Sequence, residues 1–375
     1  MKTKAAILTA PGKDWEIAEI DLGDPVAGEV QVRLAASGLC HSDEHLRTGA
    51  TPIGGYPALG GHEGAGTVTK VGPGVTGLEE GDHVVLAFIP ACGTCRPCSS
   101  GLQNLCDHGA GLLGGKALSD GTHRITMGDQ PIFPMCLLGT FAPYVTVNQA
   151  SVIKIEKDVP LDKAALLGCG VSTGWGSAVE IGETKAGDTV AVVGVGGVGI
   201  NAVQGAAAAG ARYVIAVDPV EFKRKKALEL GATHAYASMA DAAGPIGEIT
   251  WGQMANTTIL TIGYTDGDHL QPALDLTAKG GQVVVTGMGS YDQIDAKVNL
   301  FTLTLLQKRL QGAIFGGIGP RTQIPRLLES YRAGRLKLDE LITTTYRLEE
   351  INQGYADMRA GRNLRGVIVY GEQDW

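Results

Sequence analysis

Residues 188–199 decide the fold of this chain, and they read Asp-Thr-Val-Ala-Val-Val-Gly-Val-Gly-Gly-Val-Gly. The run from Asp188 to Val193 is mostly apolar and β-branched, which predicts a strand buried in a parallel sheet. The next six residues form G-x-G-x-x-G and open a predicted helix over Val198–Ala209. In that context the glycines permit a tight turn, close approach of a pyrophosphate and close helix–strand packing. We therefore expect a dinucleotide site formed by Gly194, Gly196, Gly197, Val198 and Gly199. The alternative is a purely structural turn, because the chain has 55 glycines.

Asp218 indicates which dinucleotide binds. It follows Gly199 by 19 residues and ends the next predicted strand, Tyr213–Val217. A carboxylate there can accept both hydroxyls of the adenosine ribose and repels a 2′-phosphate. Lys223 and Arg224 could receive such a phosphate, but the aspartate would oppose it. The sequence therefore predicts NAD, with Asp218 and Lys223 among the cofactor-binding residues.

Strands and helices alternate outward from this motif. Predicted strands over Thr257–Ile262 and Gln282–Thr286, with helices over Glu221–Leu230 and His269–Lys279, indicate an α/β doubly wound parallel sheet. The first ~150 residues carry short alternating runs between glycines and prolines, which predict a mostly antiparallel β body. A helix over Ile324–Arg332 and a strand over Gly366–Tyr370 are expected to return to that body. We expect one domain from residues 1–170, completed by 315–375, and a second from 171–314.

Composition excludes several classes of partner. The net charge is −8 and there is no basic stripe, which argues against nucleic acid. The apolar stretch Thr189–Ala211 is long enough to suggest a membrane span, but it contains six glycines and divides into strand, turn and helix. The start of the chain lacks the apolar core of a signal peptide. We expect a cytoplasmic protein, since a reducing compartment keeps thiols available as metal ligands.

Four of the seven cysteines form a local cluster with the spacing C-x2-C-x2-C-x7-C: Cys92, Cys95, Cys98 and Cys106. Four thiolates make the closed tetrahedral shell that a structural zinc prefers. An iron–sulfur cluster uses the same ligands, so the spacing favours zinc without excluding iron. Two disulfides are a further alternative, disfavoured because nothing else in the chain indicates secretion.

Three other residues suggest a second metal site with an open position. Cys40, His62 and Cys169 are far apart in the sequence, but two cysteines and one histidine are a donor set of catalytic zinc. Taken singly, each also has an ordinary interpretation, as a buried thiol or a core histidine. Their local contexts are more specific. His62 begins the pattern G-H-E-x2-G-x5-G-x2-V, Cys40 opens Cys-His-Ser-Asp, and Cys169 lies just before the dinucleotide domain.

These segments together resemble the zinc-dependent alcohol dehydrogenases of the medium-chain dehydrogenase/reductase superfamily over essentially the whole chain. The resemblance implies a GroES-like, mostly antiparallel catalytic domain and a Rossmann coenzyme domain. It implies two zincs per chain and NAD. The catalytic zinc would bind Cys40, His62 and Cys169, and the structural zinc would bind the four clustered cysteines.

The resemblance also implies roles for neighbouring residues. Asp43 holds the far nitrogen of His62, and Glu63 lies behind the catalytic zinc. Ser42 takes the alcohol proton and passes it, through the cofactor ribose, to His45 at the surface. The remaining implied contacts are of two kinds: His41, Thr173 and Arg365 touch the cofactor, and Phe88 and Leu138 line the substrate pocket.

Within the superfamily the chain is most similar to the actinobacterial nicotinoproteins, which keep NAD bound and are assayed with nitrosodimethylaniline (NDMA). The run Gly170–Gly176 and the long irregular stretch from Gly109 to Pro134 suggest this. The activity expected is oxidation of primary alcohols to aldehydes by a homodimer or larger oligomer. One alternative is a class III-type formaldehyde dehydrogenase acting on a thiol adduct, although Asp107–Gly111 lacks the expected arginine. Another is a non-enzymatic binding protein on the same fold.

Overall fold

The computed structural model describes residues 1–375, which divide into two compact units. The first unit contains Met1–Cys169, Gly319–Ala333 and Leu338–Trp375, and the second contains Gly170–Ile318 and Gly334–Lys337. Two short segments expected in the first domain, 315–318 and 334–337, thus group with the second unit. The reason is local contact: a Cβ on Gly316 would meet the Ser172 oxygen at 2.5 Å, and Gln204 exchanges hydrogen bonds of 2.8 and 3.1 Å with the main chain of Lys337.

The second unit contains the α/β alternation. Its strands are β12 (Thr189–Val193), β13 (Tyr213–Val217), β14 (His234–Tyr236), β15 (Ala255–Leu260), β16 (Thr277–Val285) and β17 (Arg309–Gly312). Its helices are α4 (Gly170–Gly176), α5 (Gly199–Ala208), α6 (Glu221–Glu229), α7 (Met239–Ile249), α8 (Leu270–Asp275) and α9 (Leu300–Leu305). All five strand pairings are parallel, in the order β14-β13-β12-β15-β16-β17. The predicted doubly wound sheet is therefore confirmed.

The helix expected over His269–Lys279 is shorter in the structure. It ends at Asp275, and β16 already begins at Thr277, five residues before the expected strand. The pairing of β16 with β15 shifts register between Thr277 and Gln282, and Gly280 within that stretch has a φ of +71°, which only a glycine adopts easily. Two edge strands, β14 and β17, were missed because they are short and carry no buried apolar run.

The first unit is built from two mostly antiparallel sheets. One contains β1 (Lys2–Leu8), β2 (Glu16–Leu22), β4 (Ala58–Leu59), β7 (Ile125–Met127), β8 (Gln130–Pro131) and β9 (Phe133–Pro134), in the order β8-β7-β2-β1-β4-β9. The other contains β3 (Glu29–Gly38), β5 (Gly64–Val71), β6 (His83–Leu86), β10 (Tyr144–Asn148), β11 (Val152–Ile155), β18 (Ile342–Tyr346) and β19 (Arg365–Val369). β3 is its centre, because it pairs with β5, β10 and β19.

The helices of the first unit are α1 (His41–Thr48), α2 (Arg96–Ser99), α3 (Leu161–Ala164), α10 (Pro320–Arg332) and α11 (Ile351–Arg359). Alternating residues of β3, such as Val30, Val32 and Leu34, lie in the apolar core. β3 ends at Gly38, and the chain then turns at Leu39–Cys40 into α1. Two of the predicted site segments therefore begin where the central sheet ends.

The segment after Cys106 is irregular, as expected, but it is fixed to the first unit. Glu29 is only 1% exposed, and its carboxylate accepts hydrogen bonds from Ser119 and from Arg124 Nε, the latter at 2.7 Å. Arg124 also donates to Asp120 at 2.7 Å. Nearer the start of the segment, the main-chain N–H of Gly54 donates to the Leu113 oxygen at 2.7 Å. The segment is thus anchored by a buried ion pair and by main-chain contact.

The apolar stretch Thr189–Ala211, whose length suggested a membrane span, is divided between β12 and α5. No helix in the structure has the length and apolar character that crossing a membrane requires.

Candidate active site and metal centres

The four clustered cysteines converge around one point. Their sulfurs all lie within 4.8 Å of one another, with 3.9 Å between Cys92 and Cys98 and 3.8 Å between Cys95 and Cys106. Zinc–thiolate bonds of about 2.3 Å in a tetrahedron separate the sulfurs by about 3.8 Å. All four cysteines are free, so the disulfide interpretation is wrong. The set fits a single tetrahedral ion and is too compact for thiolates spread around several iron atoms.

Main-chain N–H groups point at these sulfurs. Cys92 Sγ accepts from the N–H of Thr94 at 3.5 Å and of Cys95 at 3.3 Å, and Cys95 Sγ accepts from Asp107 at 3.5 Å. Burial raises the pKa of Cys92, but the N–H groups of Thr94 and Cys95 outweigh it and lower this pKa to about 6. Burial raises the pKa of Cys106 to about 12. Hydrogen bonds from main-chain N–H groups to a sulfur stabilise its thiolate, and the thiolate is the form that a metal ion binds.

The second donor set is assembled from distant segments of the first unit. The donor atoms of Cys40, His62, Glu63 and Cys169 lie within 4.8 Å of one another, and all four residues are buried. Cys40 directly precedes α1, His62 and Glu63 precede β5, and Cys169 ends the first of the three segments that form the unit. Chain folding alone therefore brings together three residues that sequence reasoning proposed as ligands.

Asp43 shows that this set suits a metal ion. Its Oδ2 lies 3.1 Å from His62 Nδ1, and its Oδ1 accepts the main-chain N–H of Gly61 at 2.7 Å. A carboxylate beside Nδ1 favours a proton on that nitrogen, and with a metal ion bound Nε2 would then offer its lone pair. Both ring nitrogens of His62 and the facing Asp43 Oδ2 are buried, and none of the three atoms makes a well-aligned hydrogen bond. A buried imidazole nitrogen is seldom left in this state unless a metal ion or another group satisfies it.

The site carries negative charge. A hydrogen bond from Cys169 lowers the pKa of Cys40 well below its usual value; burial opposes this, and the nearby His62 supports it. The same interaction raises the pKa of Cys169, because a thiol that donates to a thiolate keeps its proton. Burial lowers the pKa of His62, but Asp43 and Cys40 raise it well above the ordinary value. A cation placed among these groups would replace the shared protons.

Glu63 is held by Arg365. Both side chains are buried, and Arg365 Nη2 donates to Glu63 Oε2. The pair lies against β3 at Gly38, where an added Cβ would meet Glu63 Oε2 at 2.0 Å and Arg365 Nη2 at 3.0 Å. Glycine at position 38 is therefore required for the carboxylate to reach the donor set. The expected contact of Arg365 with a pyrophosphate stays a prediction.

The other expected site residues of the first unit are distributed around the donors. Ser42 is half-buried with its Oγ 3.7 Å from Cys40 Sγ, and His41 is exposed. The Phe88 ring meets the His62 ring edge-on at a centroid distance of 5.9 Å. Leu138 is 1% exposed within the apolar core. His45 was expected at the surface but is 5% exposed, because it lies on the inner side of α1 with Asp43, Glu44 and Leu46.

The dinucleotide motif has the expected local geometry. Gly194 has φ +87°, and a Cβ on Gly199 would lie 1.9 Å from the Gly194 oxygen, so β12 and α5 approach closely only with glycine at both positions. By contrast, a Cβ on Gly196 would meet only Lys223 Nζ, at 3.8 Å. The turn therefore presents open backbone beside a lysine, which suits a phosphate at the start of a helix.

Asp218 closes the turn. Its Oδ2 accepts the N–H of Val195 at 3.0 Å, and its Oδ1 accepts the N–H of Val220 at 2.9 Å. Each oxygen keeps lone-pair capacity for a ribose hydroxyl. Arg224 donates to the main-chain oxygens of Asp218 and Pro219 at 2.6 and 2.9 Å, so its guanidinium is already engaged. Thr173, on α4, is buried and its hydroxyl has no partner.

Comparison with known proteins agrees with a metal-binding unit and a dinucleotide-binding unit. Residues 26–157 match the family described as the alcohol dehydrogenase GroES-like domain, and residues 197–332 match the zinc-binding dehydrogenase family. Alcohol dehydrogenase B of Mycobacterium tuberculosis is 53% identical over 374 residues, which is 100% of each chain. The chain belongs to the zinc-dependent alcohol dehydrogenases.

Other members of this family are also similar over nearly the whole length. An NDMA-dependent alcohol dehydrogenase of Amycolatopsis methanolica is 51% identical, covering 99% of each chain. An S-(hydroxymethyl)glutathione dehydrogenase of Paracoccus denitrificans is more distant, at 36% identity over 99% of this chain and 100% of the relative. A crystal structure of an alcohol dehydrogenase zinc-binding domain protein from Burkholderia ambifaria superposes with a TM-score of 0.91, at 34% identity over 99% of this chain and 100% of that one.

The two donor sets of this alcohol dehydrogenase predict different consequences of cysteine loss. Cys40→Ser is expected to lower turnover at least about a hundredfold, because it disrupts the charge-stabilising site, with little change in melting temperature. Cys95→Ser is expected to lower the free energy of unfolding by roughly 2 kcal/mol or more, because a closed zinc shell contributes folding free energy. Elemental analysis and thermal melts check this. Wild-type enzyme that is active with one zinc or none per chain contradicts the assignment.

Asp218 predicts a change in cofactor preference. Asp218→Ser removes the repulsion of a 2′-phosphate and the hydrogen bonds to ribose, each charge-assisted bond being worth roughly 1.5–3 kcal/mol. The NAD-over-NADP preference should narrow by at least about tenfold, measured as the ratio of the two dissociation constants. Glu221→Ser, on the exposed start of α6, is the matched control and should leave the ratio unchanged. Wild-type protein that prefers NADP would show that this strand end has been misinterpreted.

Proposed function

We propose that this enzyme oxidises primary alcohols to aldehydes with an NAD molecule that stays bound between turnovers. The observation that carries the alcohol chemistry is the buried Cys40–His62–Cys169 set, in which Asp43 Oδ2 lies 3.1 Å from His62 Nδ1. The retained cofactor is supported by 51% identity to an NDMA-dependent alcohol dehydrogenase. It is also supported by the run Gly170–Gly176, which forms α4.

The residues of the site divide the work. Cys40, His62 and Cys169 would hold the zinc and leave one position for substrate. When bound, zinc supplies a Lewis acid beside the substrate oxygen, and NAD supplies the hydride acceptor. The Ser42 hydroxyl, 3.7 Å from Cys40 Sγ and half-buried, is placed to accept the alcohol proton. His45 lies one helical turn away on α1 as the next acceptor. Because His45 is buried, the proton needs a further carrier to reach water.

The aromatic ring of Phe88 supports specificity for an apolar substrate. It stands edge-on to the His62 ring, at a centroid distance of 5.9 Å. Its main-chain N–H donates to the Gly168 oxygen at 3.3 Å, which ties it to the residue before Cys169. Phe88 is thus fixed relative to two of the three ligands, and we assign it to the wall of the substrate site.

Retention of NAD is tested by release and by acceptor choice. Extensively dialysed protein, once denatured, should release nicotinamide dinucleotide at close to one molecule per chain. Alcohol oxidation should be fast with nitrosodimethylaniline and slow with free NAD, because dissociation slower than catalysis forces the cofactor to be regenerated in place. Cofactor-free protein that turns over rapidly on added NAD contradicts retention while leaving the metal chemistry intact.

A class III-type activity on a glutathione adduct is the second candidate, and the structure argues against it. That activity needs a cation for the carboxylates of glutathione. Residues 107–111 contain no arginine, and Arg124, farther along the same segment, is committed to Glu29 and Asp120. Formaldehyde oxidation that requires added glutathione would favour this candidate. A non-enzymatic role is opposed by the complete donor set with Ser42 beside it.

We infer that the enzyme is a homodimer joined through the second unit. β17 is the terminal strand of the sheet, so one of its edges is open to pairing. Large apolar side chains around it are exposed, including Phe301 at 72% and Leu305 at 65% on α9. An edge strand beside an apolar patch suits the self-complementary contact of a two-fold dimer.

The homodimer predicts a charge-sensitive interface. Leu310→Lys, on β17, should convert the wild-type dimer to monomer in size-exclusion chromatography with light scattering. Leu228→Lys is the control, because Leu228 is 47% exposed on α6 of the same unit. A wild-type monomer, or a Leu310→Lys variant that stays dimeric, excludes this interface.

A further inference from the structure

Three aromatic rings meet beside the two segments that carry Cys40 and His62. Trp15 stacks on Tyr355 at a centroid distance of 6.0 Å and meets Phe141 edge-on at 5.3 Å, while Phe141 and Tyr355 are 6.3 Å apart. The three residues are at most 3% exposed. They come from segments more than 100 residues apart in a chain that is only 5% aromatic. We call this group the three-ring cluster.

One side of the three-ring cluster contacts the first ligand segment. The Tyr355 hydroxyl donates to the main-chain oxygen of Cys40 at 3.5 Å. The same oxygen accepts the N–H of Asp43 at 3.2 Å, the bond that starts α1. The neighbouring Gly354 approaches Leu39 so closely that an added Cβ would lie 2.4 Å from the leucine side chain. The turn that presents the Cys40 sulfur is therefore pressed against α11.

The other side of the cluster contacts the second ligand segment. A Cβ on Gly60 would lie 2.3 Å from the Trp15 ring and 2.8 Å from the Phe141 ring. A Cβ on Gly61 would lie 2.7 Å from the Phe141 ring. The N–H of Phe141 donates to the Gly60 oxygen at 3.0 Å. His62 follows directly, so the path of the backbone into this ligand is shaped by two of the rings.

Hydrogen bonds to α11 also hold the cluster in place. The main-chain N–H of Trp15 donates to Asn352 Oδ1 at 3.0 Å, and Asn352 Nδ2 donates back to the Trp15 oxygen at 2.9 Å. Asn352 and Tyr355 are both on α11, three residues apart. Trp15 and Tyr355 are therefore held by one helix and cannot shift independently.

We propose that the three-ring cluster is the positioning element that fixes the distance between Cys40 and His62, and that Trp15 and Tyr355 are positioning residues for the metal site. The proposal rests on the metal role given above to Cys40, His62 and Cys169. A metal site tolerates errors of only about 0.2 Å in its donor distances. Close-packed rings supply such rigidity, because a core side chain has no room to move without displacing its neighbours.

Cadmium-113 NMR of the cadmium-substituted full-length protein tests this, because each site gives its own resonance and the chemical shift reports its donors and their geometry. Tyr355→Phe removes one hydroxyl, and Trp15→Phe shortens one ring. Each should shift or broaden the resonance of the two-cysteine site and leave that of the four-cysteine site in place. Turnover should fall by roughly tenfold, as expected when reacting groups are slightly misplaced.

Ile20→Val is the control, since Ile20 is buried in the same core on β2, a strand that carries no donor residue. It should move neither resonance. An unmoved two-cysteine resonance in both ring variants overturns the proposal, as does a parallel change in both sites. A wild-type protein without a two-cysteine resonance contradicts instead the metal assignment on which the proposed function depends.

Discussion

The buried carboxylate of Asp43 is the contact on which the catalytic unit depends. It lies on α1, three residues after Cys40, and it reaches across to the turn that carries His62. One oxygen accepts the main-chain N–H of Gly61 and the other faces His62 Nδ1, so both oxygens act on the same turn. The bond to Gly61 fixes the position of the turn, and the carboxylate beside Nδ1 favours a proton on that nitrogen. Without it, a buried histidine could present its proton instead of its lone pair to the metal ion.

Most charged groups buried around the donor set have a partner of opposite charge. Two cysteines and the carboxylates of Asp43 and Glu63 are buried together, and Arg365 is the buried cation beside them. Burying unpaired charge is costly, so such a group is stable only when each member has a partner. The Glu63–Arg365 pair meets this requirement for one carboxylate, and His62 meets it for Asp43. The thiolate on Cys40 is the charge that a divalent ion would compensate.

Sequence reasoning succeeded where the chemistry is local. The four cysteines and the glycine motif each lie within fifteen residues. Residue type and spacing were therefore enough to predict a metal site and a dinucleotide site. The Asp43–His62 contact followed from family resemblance. Pairs such as Glu29 with Arg124, or Cys40 with Tyr355, leave no periodic signal, because their partners are 95 and 315 residues apart. Burial of His45 was missed for a similar reason: a histidine near the start of a helix can face either solvent or core, and only the packing of α1 decides which.

The two donor sets also differ in the stage of folding at which they can form. The four-cysteine set spans residues 92–106, so a short segment can close around an ion before the rest of the chain has folded. The second set spans residues 40–169 and needs β3, α1 and the turn before β5 in place. Its ligands come from separate strands and helices, so their relative positions are set by the packing of the whole unit. The first set can thus contribute to folding, whereas the second is a product of folding, which is why its geometry depends on a core of side chains that never touch the metal ion.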